Sequence, residues 1–374
     1  MPVVESAVGR ALVAHARAHE MTLQSLARAL ELSSDDVDEL LYGDRLVDSA
    51  LAERLSVVLG KDREHWLTVD DRRARVARWL TALDQFGPAS LRALRDRGHV
   101  SATKRQPGQL ADELDAFFGC EPEDRDNVVP ASFRQSDAHP VHEDAVQVWL
   151  RLASMQGDRV AELDDVPALD LDDLGTTLPT LARVADEAPS DYLPRVRDRL
   201  ADAGVVMVFQ PDVPGTRLSG ASWPTPGGFA VVALTLRHAF DDFFWWTVYH
   251  ECAHLLHEHG LVVDGSSDDG ADRVQEEQAN ELARAALLPA GWDRGLEVPS
   301  KARVVRAAHR LGLPPGVLVG QLQNRHRVAP KDMNGLKRSM PDPASLEVLM
   351  SLDQGSGPAW DQAAVDLQRR ADAS

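Results

Sequence analysis

The residues whose types and spacing can do chemistry are His250, Glu251 and His254, in the run DFFWWTVYHECAHLLH from Asp242 to His257. On a helix, residues four apart lie one turn apart on one face, so His250 and His254 can turn two imidazoles to one metal ion. Glu251 follows about 100° round the helix from His250, where its carboxylate can take a proton from water. This is the spacing of a hydrolytic metal site, with two ligands and a general base drawn from five residues. Phe243, Phe244, Trp245, Trp246, Val248, Leu255 and Leu256 surround the motif, so the helix is expected to be buried, with Asp241 or Asp242 capping its start. Two imidazoles and a carboxylate inside a core are costly unless a metal or hydrogen bonds satisfy them. The competing reading is a core helix that carries two histidines.

A third ligand separates these readings, because a catalytic zinc site keeps three protein ligands. The metzincin pattern requires Gly at 257 and His at 260; the chain has His257 and Gly260, which excludes it. A straight helix sets His257 roughly 10 Å from His250, too far for one ion, so His257 is expected beside the site or in packing. The run QEEQANELARAALLP, Gln275 to Pro289, predicts a helix stopped by Pro289. Glu276, Asn280, Ala283 and Leu287 share one of its faces. Glu276 is the expected third ligand, Glu277 the alternative, and Asn280 the expected hydrogen-bond partner of a ligand histidine. The bland alternative makes both glutamates solvated helix charges. A ligand set of two histidines and a glutamate points to zinc, with other divalent metals compatible. Cys252 points away from the metal and is expected in the core.

Four segments taken together resemble the ImmA/IrrE family of metallo-endopeptidases: Gly204 to Phe209, Arg217 to Trp223, Ala230 to His257, and EEQANELARAALLP. Their order and spacing match, and not the HExxH motif alone. The resemblance implies a zincin-like domain with His250, His254 and Glu276 as ligands and Glu251 as the catalytic residue. It further implies a protein substrate, a DNA-binding repressor or antitoxin whose loss switches on a stress, phage or mobile-element programme. Leu282 stands where the family usually has Phe.

The elements that must position these residues are read from the rest of the chain. Val205 to Phe209 is β-branched and apolar and predicts a buried strand. Gly220 to Trp223 begins a second, and Phe229 to Leu236 a third. In zinc proteases an edge strand before the metal helix often holds an extended substrate by backbone pairing. Phe229, Ala230, Val231, Val232, Ala233 and Leu234 are the candidates for that role; a plain central strand is the alternative. Lys301 to His326 predicts two helices split at Gly312 to Pro315. Tyr249, His309, Arg325 and His326 are candidates to stabilise the oxyanion.

Residues 7–67 read as a packet of short helices. Leu23, Leu26, Ala27 and Leu30 form one apolar face, Ser33 with Asp36 a capping box, and Gly43 and Gly60 two helix stops. The segment resembles the Xre/Cro-type helix-turn-helix of HigA-like antitoxins, including REHWL from Arg63 to Leu67. Its presumptive recognition helix, Ser33 to Gly43, carries Asp35, Asp36, Asp38 and Glu39 where a DNA reader carries basic or amide side chains. Residues 1–70 hold 7 Lys and Arg against 13 Asp and Glu, and such a surface repels phosphate. Glu31 occupies the turn where that family usually has Gly. DNA reading is therefore expected to be weakened, leaving dimerisation or docking of a basic protein.

The expected organisation is α+β: a helix-turn-helix domain over 1–70, a helical connecting region over 71–177, the metallopeptidase domain over 178–339, and a loosely packed tail over 340–374. The acidic run Glu162 to Gly175 reads as a linker. Of the 374 residues 44% are hydrophobic, enough for two or three cores, and the net charge of −19 argues against general nucleic-acid affinity. Two distant cysteines, Cys120 and Cys252, fit a reducing cytoplasm. No signal peptide and no membrane span is expected. The rival reading is a non-enzymatic, antitoxin-like regulator binding DNA or a partner protein, with the metal domain as a sensor; a homodimer is compatible with either reading.

Overall fold

The computed structural model describes residues 6–42, 45, 47–120, 142–184, 189–235, 237, 240–259, 262–263 and 270–341. Most of them are helical: fourteen α-helices and one small sheet among the described residues give an α+β chain. The chain divides into two compact units, residues 1–87 with 94–125, and residues 88–93 with 126–374.

The first unit is built from short capped helices: α1 Ala7–Ala18, α2 Leu23–Ala29, α3 Ser34–Tyr42, α4 Ser49–Leu59 and α5 Arg63–Gln85. Ser6, Thr22, Asp48 and Asp62 each accept a backbone N–H of the first turn, at 2.7, 3.1, 2.7 and 2.7 Å. Such a cap stabilises a helix by about 1 kcal/mol. The capping box at α3 forms as expected. The Ser33 N–H donates to Asp36 at 2.9 Å and the Asp36 N–H donates to Ser33 Oγ at 3.0 Å. Leu12, Leu26, Leu30, Leu40, Leu51, Leu55 and Trp66 close the core. Glu31 sits at φ 54°, in the left-handed turn between α2 and α3, a conformation that costs an L side chain roughly 1–2 kcal/mol. Asp35, Asp38 and Glu39 are exposed on α3, while Asp36 is held by its cap and by Arg45. The stop assigned to Gly43 lies outside the described residues. The unit also holds α7, Pro107–Phe118, while α6, Pro88–Asp96, is divided between the two units after residue 93. Trp79 on α5 is fully buried and its indole N–H donates to Asp115 of α7 at 2.5 Å.

The second unit contains α8 Glu143–Asp164, α9 Leu171–Leu181, α10 Pro189–Asp202, β1 Val205–Phe209, β2 Gly220–Pro224, β3 Ala230–Leu234, α11 Asp241–Leu256, β4 Val262–Val263, α12 Gly270–Leu287, α13 Lys301–Leu311 and α14 Pro315–Asn324. The expected boundaries at 70 and 177 fall inside α5 and α9. The expected linker over 162–175 is corrected: α8 runs to Asp164 and α9 starts at Leu171, capped by Asp170 at 2.9 Å. The acidic residues there serve helix ends, which composition alone does not distinguish from a linker.

The sheet order is β1-β3-β2-β4, with β1 parallel and β2 antiparallel to β3. Alternation along the strands sends Val205, Met207, Phe209, Ala230, Val232 and Leu234 into one core with α9 to α14. The other face meets α8, where the Trp149 indole N–H donates to the Gln210 carbonyl at 3.0 Å. The position of β3 corrects one expectation. Ala230, Val231, Val232, Ala233 and Leu234 are paired on both sides, and Phe229 precedes the strand. A backbone hydrogen-bonded on both edges cannot receive a substrate strand. Hydrophobic runs report burial, and burial does not tell a central strand from an edge.

The start of α11 also differs from expectation. Its N-cap is Phe240, with no side-chain cap, and Asp241 and Asp242 are the first helical residues. Both are tied to the segment after α14. The Arg338 N–H donates to Asp241 Oδ1 at 3.0 Å, the Asp241 N–H donates to the Arg338 carbonyl at 2.9 Å, and Lys337 pairs with Asp242 at 2.7 Å. Met340 is buried and its sulfur accepts from the Tyr192 hydroxyl at 3.4 Å. The rest of the expected tail, residues 342–374, lies outside the described residues.

Burial pushes the Asp241 carboxyl up to about 6, against the lowering effect of the Arg338 N–H. A folded-state pKa above the unfolded value means the folded chain holds the proton more tightly, so stability falls as pH rises from about 4 to 6. Asp241→Asn keeps the acceptor and removes the titration. Its melting temperature should match wild type at pH 4 and exceed it at pH 7, by the equivalent of about 3 kcal/mol. Parallel melting curves across that range would count against a buried, proton-holding Asp241.

Candidate metal centre

Helix α11 lies in the core with nearly all of its surface covered, and α12 packs along it. The spacing of four in α11 stacks His250 and His254 with their rings at 85° and centroids 4.7 Å apart. Their Nε2 atoms lie 3.1 Å from each other. Glu276, on α12, offers one carboxylate oxygen to each, 3.3 Å from His250 Nε2 and 3.4 Å from His254 Nε2. A tetrahedral zinc with bonds of ~2.0–2.1 Å spaces its donors about 3.3–3.4 Å apart. The two nitrogens and the two carboxylate oxygens therefore stand close to the separations a zinc ion requires, and the residues fit that group. Among the described residues these three form the one cluster able to hold a metal. Burial pushes the Glu276 carboxyl up, but when the two imidazoles are protonated their hydrogen bonds and charge outweigh it and hold it at about 2. Glu276 is thus an anion at any neutral pH. Glu277, the alternative ligand, is not part of the cluster.

The state of His254 follows from its neighbours. Its Nδ1 lies 3.0 Å from His259 Nδ1, and His259 Nε2 lies 3.2 Å from Gln278 Oε1. A carbonyl oxygen only accepts, so His259 carries its proton on Nε2. Its Nδ1 then accepts from a proton on His254 Nδ1, which leaves the His254 Nε2 lone pair facing His250 and Glu276. Burial holds His259 below the ordinary histidine range, which favours the neutral ring this chain of bonds needs. Sequence reasoning gave the orienting role to Asn280. The structure places Asn280 on the lining of a cleft one turn beyond Glu276, and it is His259 that bonds the ligand His254. The signal was present as a second histidine past the motif, but only the turn at the end of α11 brings it back. His257 is exposed and stacks on His259 at 5.1 Å.

Glu251 is 1% exposed, and Ser222 Oγ donates to its Oε2 at 2.9 Å. Ser222 lies on β2, paired with Val232 of β3 and Val262 of β4. This second residue was also missed, since the sequence marked its segment only as a strand. Gly220, at the start of β2, permits the approach. A Cβ there would come 2.7 Å from Thr247 Cγ2 and 3.0 Å from Glu251 Oε1. Trp246 stacks on His250, centroids 6.2 Å apart, from one turn earlier. Cys252 is fully buried as expected. Tyr249 is removed from the oxyanion candidates: it is buried and its hydroxyl accepts the Ala182 N–H at 3.0 Å. Arg325 lies over Trp292 at 5.1 Å and 3.9 Å from Asp293, while His309 and His326 are exposed.

No family model, no curated protein and no solved structure matches the chain. The chemistry of the site rests on its geometry.

Replacing His259 with Phe keeps the packing and removes the bond that orients His254. Zinc affinity should fall about 10–100-fold, read by competition with a chromophoric chelator, while the far-ultraviolet circular dichroism stays unchanged. Unaltered affinity would dismiss His259 as the orienting residue.

Proposed function

We propose that the protein is a zinc-dependent endopeptidase of the ImmA/IrrE type. It acts in the cytoplasm on a protein substrate, a DNA-binding repressor or antitoxin. The observation that carries this reading is the convergence of His250 Nε2, His254 Nε2 and Glu276 at metal-donor separations, with the Glu251 carboxylate one residue along. The zincin-like assignment of the second unit is supported by the small sheet beside the donor helix. The exposed acids of α3 favour contact with a basic protein over reading of DNA. Among the described residues no helix is long and apolar enough to cross a membrane.

His250, His254 and Glu276 would hold the ion. When bound there, zinc supplies Lewis acidity toward a carbonyl and lowers the pKa of water from 15.7 to about 7. Glu251 takes a proton from the attacking water and returns it to the leaving amine. Ser222 holds one oxygen of that carboxylate, which fixes the direction in which the other can accept. Burial of Glu251, His250 and His254 excludes bulk water and strengthens each of these interactions.

Glu251→Gln should retain stoichiometric zinc and lower turnover by at least about 100-fold. The measurement compares protein N-termini by mass spectrometry in host cells carrying either form. A new N-terminus present only with wild type identifies the substrate together with the activity. Identical N-termini at rest and under stress would turn the site into a sensing element, the reading of a non-enzymatic regulator.

A further inference from the structure

A cleft of about 660 Å³ opens along α11, α12 and α14. Its wall on α11 is Phe243 and Trp246, and Trp246 stacks on His250. Its wall on α12 is Asn280 and Arg284, one and two turns beyond Glu276. The near end of the cleft, at Trp246 and Asn280, therefore lies one helical turn from His250 and Glu276.

The lining has a definite chemical character. Asp242 is neutralised by Lys337 at 2.7 Å. Arg284 makes no ion pair among the described residues; its guanidinium lies 5.9 Å from the Trp246 ring centroid. That contact contributes only about 0.5–1 kcal/mol at such a site and leaves the N–H donors free for a carboxylate, a stronger partner. Gln321 is 5% exposed and its Oε1 has no hydrogen-bond partner among the described residues. A buried, unsatisfied amide on the wall of a cleft beside a hydrolytic site suits a peptide N–H. The chain as a whole carries −19 and repels acidic molecules at long range, so one cation facing this cleft acts locally.

We propose that this cleft is a specificity subsite for an acidic side chain, Asp or Glu, of the polypeptide substrate. Arg284 binds the carboxylate, Trp246 and Phe243 cover its aliphatic stem, and Gln321 accepts from the adjoining backbone. The assignment rests on the endopeptidase reading for its meaning, and its test separates the two.

The test uses the full chain, zinc-loaded and carrying Glu251→Gln, immobilised and exposed to a random mixture of blocked dodecapeptides. Captured peptides should be enriched in Asp or Glu over Asn or Gln at one position, by about 10- to 100-fold. Adding Arg284→Gln should abolish that enrichment, and Arg284→Glu should replace it with Lys or Arg. No acidic enrichment, or enrichment undiminished by Arg284→Gln, overturns the proposal. Cleavage of the same mixture by protein with Glu251 intact is read separately. Its absence alongside Arg284-dependent capture removes the hydrolase reading and leaves the acid-binding cleft in place.

Discussion

The packing of α12 on α11 inside the core is the constraint on which the second unit depends. It brings two imidazoles and a carboxylate to within 3.4 Å of one another in a place nearly closed to water. An uncompensated buried charge costs several kcal/mol, against a total stability of roughly 5–15 kcal/mol for a domain. A core helix with two idle histidines would turn them to solvent or satisfy them separately. Here Nε2 atoms and carboxylate oxygens face one centre, and a cation resolves the electrostatics of all three at once.

What surrounds the centre serves to keep those directions fixed. His259 and Gln278 set the protonation of His254 through two bonds in series. Ser222 reaches Glu251 because β2 lies against α11, and β2 lies there because Gly220 has no Cβ. The first turn of α11 is fastened to the segment at Lys337 and Arg338, so the helix cannot slide along its axis without breaking buried polar contacts. Each support comes from a different element, and a small shift of any one would move a donor by the tenths of an ångström that separate a metal site from a cluster of polar side chains.

The legible part of this arrangement was the part written at helical spacing. HExxH fixes its own geometry because four residues make a turn, and Glu276 was readable because one apolar face of its helix had to meet the core. The capping box at Ser33 and the helix stops at Gly60 and Gly312 were local in the same sense. Ser222, His259 and the place of β3 were not legible, because each depends on which element lands beside which. β3 illustrates the limit. Its five buried residues read identically whether it is central or at an edge, and only the register with β1 on one side and β2 on the other decides.

The first unit separates the same two kinds of information. Its core residues, Leu12, Leu26, Leu30, Leu40, Leu51 and Leu55, specify the helix packet whatever its outer face carries. The outer face of α3 is set independently, and Asp35, Asp38 and Glu39 leave it without a cation to offer a phosphate. Asp36 differs from its neighbours: it caps α3 and pairs with Arg45, so its charge belongs to the fold. A helix packet can therefore keep its skeleton while the charge of its outer face varies, because burial constrains the skeleton and leaves the surface free to change.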